Sequence, residues 1–430
     1  MRLDATAPPA GSAATTAPLS SSTTYLVGGA VRDALLGLQA AERDWVVVGS
    51  TPAEMLDNGF KQVGASFPVF LHPKSGEEYA LARTEKKQGH GYHGFSVDFH
   101  PGVTLEEDLQ RRDLTINAIA RDEYGNLVDP YGGQRDLEQK ILRHVSGAFI
   151  EDPLRVLRVA RFAARFRRFG FRVHESTMAL MREITQSGEL RHLVAERVWR
   201  EIEMAMKTEK PSVFVRVLRE CGALEALLPE VDRLFGVPQP EKYHPEIDTG
   251  IHLLMALDAA ADLSQGAANV VFAVLLHDLG KGITPAAELP SHIGHESAGV
   301  PLVDAVCSRL KVPNAVHDLS RKVCLLHLKC HRMLEVRPLT ALRLLEKLDV
   351  FRQPRLLPDF VMACEADYRG RKGLQDRVYP QGAYLQQVYQ AAAEIRARDL
   401  DLDGLSGPEV GERLRQARLE AITRLKPQGG

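Results

Sequence analysis

The stretch Tyr25-Leu-Val-Gly-Gly-Ala-Val-Arg-Asp33-Ala-Leu-Leu-Gly37 decides how the N-terminal part of the chain folds, together with Glu42-Arg-Asp44-Trp-Val-Val-Val-Gly49 just after it. The pattern predicts a strand at 25–27, a tight turn at Gly28-Gly29, a helix beginning over 30–36 and a second strand at 44–48. Two glycines between a strand and a helix let backbone N–H groups approach an anion, and the helix dipole strengthens the attraction. The stretch therefore predicts an α/β unit that binds an anionic ligand.

Charged residues of the same stretch suit a metal ion and a phosphate. Arg32 is predicted to lie in the first helical turn, where its guanidinium is able to grip a phosphate. Glu42 and Asp44 are two residues apart at a strand edge, so both carboxylates are expected on one side of the strand. An arginine, a phosphate-binding turn and paired carboxylates together indicate metal-assisted phosphoryl or nucleotidyl transfer.

Composition limits the class of protein. A chain of 430 residues holds two to four domains at about 150 residues each, and 44% apolar with 26% charged residues is ordinary for a soluble globular protein. The balance of 54 basic against 56 acidic residues gives a net charge of −2, so any RNA site must be a local basic patch. Five cysteines without a C-x-x-C pair fit a reducing cytoplasm and argue against a disulfide framework or a zinc ribbon. The chain contains no apolar run of the roughly 18 residues that a membrane span needs.

Four motifs in a fixed order carry a family resemblance. They are Leu26-Val-Gly-Gly-Ala-Val-Arg-Asp33, Glu42-Arg-Asp44, Arg111-Arg-Asp-Leu-Thr-Ile-Asn117 and Glu151-Asp-Pro-Leu-Arg-Val-Leu-Arg158. Together they resemble the class II tRNA nucleotidyltransferases, the bacterial CCA-adding enzymes of the polymerase-beta nucleotidyltransferase superfamily. The resemblance runs from about Tyr25 to the end of the chain, because an HD-type module follows.

The resemblance implies a Mg²⁺ site in the head, formed by Glu42 and Asp44. Glu78, in the alternating segment Glu78-Tyr-Ala-Leu-Ala-Arg83, is a candidate third catalytic carboxylate, and a solvated glutamate at a strand edge is the alternative. Lys86-Lys-Gln-Gly-His-Gly-Tyr-His-Gly-Phe95 is interpreted as a mobile basic loop near the site, or else as a long hairpin connection.

The resemblance also implies residues that bind the triphosphate of CTP or ATP. These are Gly28, Gly29, Arg32 and Arg112. Asp113 and Asn117 would organise the residues around them. Arg111 and Arg112 follow acidic residues on a predicted helix, as the helix dipole favours, so plain surface charges remain the alternative for both.

A long helix is predicted to begin at Asp152-Pro153, because an N-cap aspartate followed by proline is a strong initiation signal. At 100° per residue, four arginines fall within a stripe of roughly 120°: Arg155, Arg158, Arg161 and Arg165. A solvated basic face is the alternative, but like charges at helical spacing repel one another, and an anionic ligand would relieve that repulsion.

By resemblance, this helix selects the nucleobase. Asp152 and Arg155 would hydrogen-bond the Watson–Crick edge of the incoming base, since a carboxylate acceptor with a guanidinium donor matches CTP and ATP and neither GTP nor UTP. Arg158 and Arg161 would hold the base or the triphosphate.

A second group of chemically active residues follows about 100 residues later. His252 lies in a helical run, and the apolar segment 270–276 ends in His277-Asp278. This pattern resembles the HD phosphohydrolase superfamily, and mixed imidazole and carboxylate ligands suit a divalent transition metal. A histidine on such a helix is otherwise a packed core residue.

Mapped onto the HD pattern, the metal ligands are His252, His277, Asp278 and a late aspartate. Asp349 is the first choice for that aspartate and Asp367 is the reserve. The remaining histidines would line the pocket and contact phosphate or a second metal: His295, His327 and His331. Ni²⁺ is a candidate for the HD metal.

The expected fold class is an α/β nucleotidyltransferase head of polymerase-beta type, an all-α neck and body, and an all-α HD domain. The expected bounds are a disordered leader at 1–24, the head at 25–150, the body at 151–243, the HD domain at 244–350 and a helical C-terminal tail at 351–430.

The resemblance implies a cytoplasmic enzyme, a monomer or a homodimer, that adds CCA to the 3′ end of tRNA from CTP and ATP. The HD domain would add phosphatase, 2′-nucleotidase and 2′,3′-cyclic phosphodiesterase activities. The alternatives are a bacterial poly(A) polymerase, which tends to be basic and to lack an HD module, and an HD phosphohydrolase whose head only senses a nucleotide.

One departure from the family pattern yields a prediction. The family carries Asp-x-Asp where this chain has Glu42, and the extra methylene displaces the ligand oxygens in a site that favours near-ideal octahedral geometry. We expect retained activity with an altered preference between Mg²⁺ and Mn²⁺. Comparing the kinetics of Glu42→Asp with those of the parent under both metals tests this, and identical kinetics would refute it.

Overall fold

The computed structural model describes residues 22–39, 42–63, 69–87 and 95–425. The chain divides into two compact units, Met1–Glu151 and Asp152–Gly430. Most of the predicted leader, residues 1–21, and the central part of the predicted basic loop, residues 88–94, lie outside the described residues.

The first unit is an α/β domain. Its strands are β1 (Thr23–Val27), β2 (Asp44–Val48), β3 (Lys61–Val63), β4 (Val69–Leu71), β5 (Glu78–Leu81), β6 (Thr84–Lys87), β7 (Phe95–Asp98), β8 (Ala120–Arg121), β9 (Leu127–Val128) and β10 (Ile141–Leu142). Its helices are α1 (Gly29–Leu35), α2 (Pro52–Asp57), α3 (Leu105–Gln110) and α4 (Gly133–Glu138). β1 begins at Thr23, two residues earlier than predicted and inside the expected leader.

Seven of these strands form one mixed sheet in the order β3-β4-β5-β2-β1-β8-β9. β2 pairs in parallel with β5 and antiparallel with β1, while β6 and β7 form a separate antiparallel pair. Alternate residues of β2 pack on opposite faces, as the period of two requires. Val46 packs with Leu105 and Leu109 of α3, and Val47 packs with Met55 of α2 and Phe70.

The second unit is helical apart from β11 (Arg172–Val173). Its first helices are α5 (Arg155–Arg165), α6 (Glu175–Gln186), α7 (Ala195–Met206), α8 (Pro211–Glu220), α9 (Ala223–Leu227) and α10 (Pro229–Asp232). They are followed by α11 (Thr249–Ser264), α12 (Ala268–Leu276), α13 (His295–Leu310), α14 (Asn314–His331), α15 (Pro338–Leu348), α16 (Leu356–Arg369), α17 (Pro380–Glu394) and α18 (Gly407–Thr423).

Helix α12 is the centre of the HD region. Its residues from Val270 to Leu276 are all buried, as expected for a helix that is apolar on every side. α12 packs against α11, α14 and α16, and α16 also packs against α11 and α14. α16, which the sequence analysis placed in the C-terminal tail at 351–430, therefore packs on the helices of the HD region, and the expected bounds stay a prediction. The fold class predicted from the sequence is confirmed.

Candidate functional site

Three carboxylates meet at one edge of the sheet in the first unit. Asp44 begins β2 and is the direct partner of Glu78 at the start of β5, and paired residues of neighbouring strands point to one face. The stacking of Trp45 on Tyr79, the next pair along, shows the same register on the opposite face. Glu42 lies close enough that its charge raises the pKa of Asp44. The structure thus brings Glu42, Asp44 and Glu78 together, and all three stay accessible to a ligand.

The Gly28-Gly29 turn lies beside these carboxylates, because Val27 pairs with Asp44 across β1 and β2. Gly28 has a φ of 68°, a conformation that favours glycine. A Cβ atom at Gly28 would lie 2.9 Å from Nη1 of Arg112, so Arg112 packs directly over the turn. Desolvation raises the pKa of the Asp44 carboxyl, and the charge of Arg112 opposes this rise.

Arg32 lies at the start of α1, as expected, and its Nη2 is 3.4 Å from the place that a Cβ atom at Gly29 would take. Its side chain is buried and donates hydrogen bonds to Asp33 and to Oδ1 of Asn117. Asn117 in turn donates to Asp113 over 2.8 Å. Both predicted arginines therefore lie beside the glycine turn, Arg32 next to Gly29 and Arg112 next to Gly28.

Asp152, at the start of the predicted base-selecting helix, has a partner that the sequence did not reveal, Arg197 of α7. Asp152 accepts a hydrogen bond from the backbone N–H of Leu154, as a cap does, although α5 itself begins at Arg155. Its other oxygen accepts from Arg197 of α7 over 3.1 Å.

Two arginines of the α5 stripe, Arg158 and Arg161, lie close to a carboxylate of a neighbouring helix. Glu201 of α7 is buried, accepts a hydrogen bond from Nε of Arg161 and lies 3.8 Å from Arg158. Arg155 and Arg161 are themselves buried, so the solvated basic face does not describe them. Glu201 therefore offsets part of the repulsion within the stripe, and the expectation that an anionic ligand offsets the rest stays a prediction. In the sequence, Glu201 was one of several glutamates on an amphipathic helix, so nothing marked it as the partner of these arginines.

The HD residues form a buried cluster in the second unit. His252 from α11, His277 and Asp278 after α12, His295 from α13 and His327 from α14 are all less than 10% exposed. Nε2 of His277 lies 3.1 Å from Oδ2 of Asp278, and Nε2 of His295 lies 3.3 Å from Oδ1. Asp278 thus stands at the centre of the cluster.

In His277 and His295, a hydrogen bond at Nδ1 leaves the lone pair of Nε2 directed into the cluster. Nδ1 of His277 lies 2.7 Å from the carbonyl of Val274, and Nδ1 of His295 lies 2.7 Å from that of His292, so each Nδ1 must donate there. Nε2 of both rings and Oδ1 of Asp278 then face one another without a hydrogen-bond partner among the described residues. Acceptors that converge in a buried place need a cation between them, and the donor set fits a divalent transition metal.

Protonation of the cluster follows from burial and charge. Burial lowers the pKa of His327 to about 3, so its imidazole is neutral, as a ligand must be. Burial also lowers the pKa of His277, but Asp278 and Asp367 outweigh burial and raise it, so a proton and a metal ion compete for Nε2.

The structure places the two candidates for the last metal ligand, Asp349 and Asp367, in different surroundings. Asp349 ends α15 in a left-handed conformation, and its carboxylate contacts Gln353 and Arg352 at 3.1 and 3.2 Å. The reserve residue Asp367 of α16 instead lies 3.1 Å from Nε2 of His252, 3.8 Å from Nε2 of His277 and 2.6 Å from Nε2 of His331. Sequence reasoning favoured the aspartate nearer to the HD pair, whereas the packing of α16 on α11 brings in the later one.

A cavity of about 760 Å³ opens beside the cluster. Its lining includes His295 and His331 of the cluster, the cations Lys281 and Arg371, and the aromatic Tyr368. Lys281 follows Asp278 by three residues and lies 2.7 Å from its Oδ2. Glu246, which the sequence did not single out, lies 3.0 Å from His244 and 3.1 Å from Nδ1 of His252.

Family models match three consecutive segments of the chain. They are the Poly A polymerase head domain at residues 24–143, the Probable RNA and SrmB-binding site of polymerase A at 170–235, and the HD domain at 249–352. The class that fold and sites define is a nucleotidyltransferase with a helical body and an HD domain.

The Multifunctional CCA protein of Thioalkalivibrio sulfidiphilus is 59% identical over 407 residues, which cover 95% of this chain and 99% of that protein. The chain belongs to the family of multifunctional CCA proteins, which confirms the resemblance inferred from the motifs.

Two solved structures show the same fold. A CCA-adding enzyme in complex with ATP has a TM-score of 0.62, with coverage of 94% of this chain and 88% of that chain. The Thermotoga maritima CCA-adding enzyme complexed with tRNA has a TM-score of 0.58 with the same coverage. Both are 19% identical to this chain. Among the described residues, the helices that could be tested are each too short or too polar to cross a membrane.

The pairing of Glu201 yields a stability prediction. Glu201→Gln removes a buried negative charge next to Arg161 and Arg158, and we expect it to lower the free energy of unfolding by about 2–3 kcal/mol. The matched control is Glu203→Gln on the same helix, whose partner Lys207 is exposed. This control is expected to change stability by less than about 0.5 kcal/mol. Urea denaturation of the full chain measures both, and equal losses would contradict the prediction.

Proposed function

We propose that this CCA-adding enzyme builds and repairs the 3′-terminal CCA of tRNA through a magnesium site formed by Glu42, Asp44 and Glu78. The observation that carries the proposal is the register of β2 with β5, which sets Asp44 beside Glu78 at the edge where Arg112 covers the glycine turn. Glu42, Asp44 and Glu78 would hold magnesium, which would supply Lewis-acid activation of the tRNA 3′-hydroxyl. Attack of that hydroxyl oxygen on the α-phosphorus forms the new phosphodiester bond and releases pyrophosphate.

The chain's own residues would bind and orient the substrates. Gly28 and Gly29 let the phosphates approach the backbone, and the guanidinium of Arg112 neutralises their charge. Arg32, held by Asp33 and Asn117 beside Gly29, would add its positive charge to that of Arg112.

Base selection follows from hydrogen-bond chemistry. Cytosine and adenine both present an exocyclic amino donor next to a ring-nitrogen acceptor, whereas guanine and uracil present a carbonyl oxygen and an N–H at those places. Asp152 would accept from the amino group and Arg155 would donate to the ring nitrogen. Arg197 orients the Asp152 carboxylate, while Arg158 and Arg161, held by Glu201, would contact the base or the triphosphate.

We further propose that the HD cluster hydrolyses phosphoesters at damaged tRNA ends. His252, His277, Asp278 and Asp367 would hold one divalent transition metal, with Ni²⁺ as a candidate, and Asp278 would share a second position with His295 and His327. A metal bound there would activate a water molecule toward a phosphomonoester or a 2′,3′-cyclic phosphate. Lys281 and Arg371 line the cavity and supply positive charge for the phosphate.

The partners are tRNA, CTP and ATP, in line with the tRNA and ATP complexes of the structural neighbours. The cytoplasm is the proposed location, and all five cysteines are free and buried, as a reducing compartment allows. A poly(A) polymerase remains the second candidate only for the head, whose family model carries that name.

Asp44→Asn tests the nucleotidyltransferase site. With tRNA that lacks its 3′ CCA, plus CTP, ATP and Mg²⁺, the parent is expected to add three nucleotides ending in CCA, and the variant is expected to be slower by about 1000-fold because a metal-binding charge is lost. Sequencing of the tRNA ends measures both. Phosphoester hydrolysis by the same variant should be unchanged, which controls for folding. An open-ended A tail would indicate a poly(A) polymerase, and undiminished activity of the variant would indicate a head that only senses nucleotides.

The choice between Asp367 and Asp349 has its own test. Asp367→Asn is expected to weaken binding of Ni²⁺ to the full chain by at least about 10-fold and to abolish hydrolysis of a 2′,3′-cyclic nucleotide, since a ligand is lost. Asp349→Asn, the matched control, should leave both unchanged. Equilibrium dialysis with metal analysis gives the affinity. Loss of metal in the Asp349 variant and retention in the Asp367 variant would reverse the assignment.

A further inference from the structure

Asp108 is a carboxylate with no direct part in the proposed reaction, and it contacts the arginine that lies over the Gly28-Gly29 turn, Arg112. Asp108 is in the short helix α3, and its side chain is completely buried between the apolar residues Leu105 and Leu109 of that helix and the sheet. A buried carboxylate is costly unless cations and hydrogen-bond donors surround it. Asp108 has two cationic partners, Arg111 and Arg112, and a backbone N–H donor.

Two consecutive arginines share this carboxylate. Oδ1 accepts from Arg111 over 2.6 and 3.1 Å and from the backbone N–H of Arg83 over 3.3 Å. Oδ2 accepts from Nη2 of Arg112 over 3.1 Å. Arg111 also donates to the carbonyl of Arg83 over 3.0 Å, so it ties α3 to the segment after β5. The contact with Arg111 is therefore part of the scaffold.

Arg112 is held differently. Nη2 binds Asp108, whereas Nη1 extends over Gly28. Nε of Arg112 is buried and has no hydrogen-bond partner among the described residues. The guanidinium is thus fixed at one end through Nη2, and its other end, Nη1, lies over the glycine turn.

We propose that Asp108 is a positioning residue for nucleotide binding, whose buried carboxylate fixes Arg112 over Gly28 so that its remaining donors meet the triphosphate. The inference rests on the proposed role of Arg112 as a triphosphate ligand. It assigns Asp108 a task beyond stability, because fixing a long side chain before the nucleotide arrives lowers the entropy lost on binding. The consequence is specific to phosphates and leaves the base and ribose unaffected.

The experiment compares Asp108→Asn with Glu106→Gln in the full-length enzyme. Glu106 is an exposed residue of the same helix, so its variant makes the same charge change away from the arginines. Asp108→Asn is expected to weaken binding of CTP with Mg²⁺ about tenfold, since a hydrogen bond between charged groups is lost, and to leave binding of cytidine, which has no phosphate, unchanged. In CCA addition, KM for CTP and ATP should rise with a smaller effect on kcat. Glu106→Gln should match the parent throughout.

Arg112→Gln and the double variant separate the two ideas. If Arg112→Gln leaves CTP binding intact, the proposed role of Arg112 fails and the inference fails with it. If Arg112→Gln weakens CTP binding and Asp108→Asn does not, only the inference fails. If Asp108 acts through Arg112, the double variant should bind CTP no more weakly than Arg112→Gln alone, whereas independent losses that multiply would overturn the proposal.

Binding of cytidine and thermal unfolding identify a fold defect. If Asp108→Asn weakens binding of CTP and of cytidine equally and lowers the Tm, it has a structural defect, and Asp108→Glu is then tested in its place. Asp108→Glu keeps the charge and displaces the carboxylate by one methylene. It is expected to weaken CTP binding selectively and less than Asp108→Asn. Equal loss of both ligands in Asp108→Glu would assign Asp108 a purely structural role.

Discussion

Neutralisation of crowded charge is the constraint on which both units depend. A charge removed from water must meet an opposite charge or enough hydrogen-bond donors, or the fold that buries it is destabilised. Two arginines surround the buried carboxylate of Asp108. Glu201 places a carboxylate beside Arg158 and Arg161 of α5. The HD cluster is the exception among these groups. There, imidazole lone pairs and a carboxylate converge on one another, which is an arrangement suited to a metal ion.

The scaffold brings these charges together by ordinary packing. In the first unit, Val46 of β2 packs against α3 on one face of the sheet, and Val47 packs against α2 on the other face. Asp44, at the start of the same strand, stays exposed. In the second unit, an entirely apolar α12 is surrounded by α11, α14 and α16, each of which contributes one or more polar residues at the same level. Hydrophobic burial thus provides the energy that holds like-charged groups close together, and their chemistry follows from that proximity.

The sequence was most informative where chemistry is local. The strand, turn and helix around Gly28 and the second strand at Asp44 could be predicted because short-range periodicity and glycine geometry determine them. The adjacent His277-Asp278 pair was equally clear. Partners from distant helices were not predictable, since Glu201 and Arg197 carry no signal until α7 packs on α5. The same reason explains the choice of Asp349, because proximity along the chain was a poor guide to proximity between α11 and α16.

The position of α16 has a consequence for how the HD region is delimited. His252 and Asp367 touch although 115 positions separate them in the chain. A fragment excised at residues 249–352, the limits of the family model, would retain His252 and the His277-Asp278 pair but would lack the carboxylate that closes the ring of donors. If the proposed metal binds there, metal uptake and folding of the C-terminal helices are linked equilibria, and each favours the other. A protease would then cleave between α15 and α16 more slowly in the metal-loaded form than in the apo form.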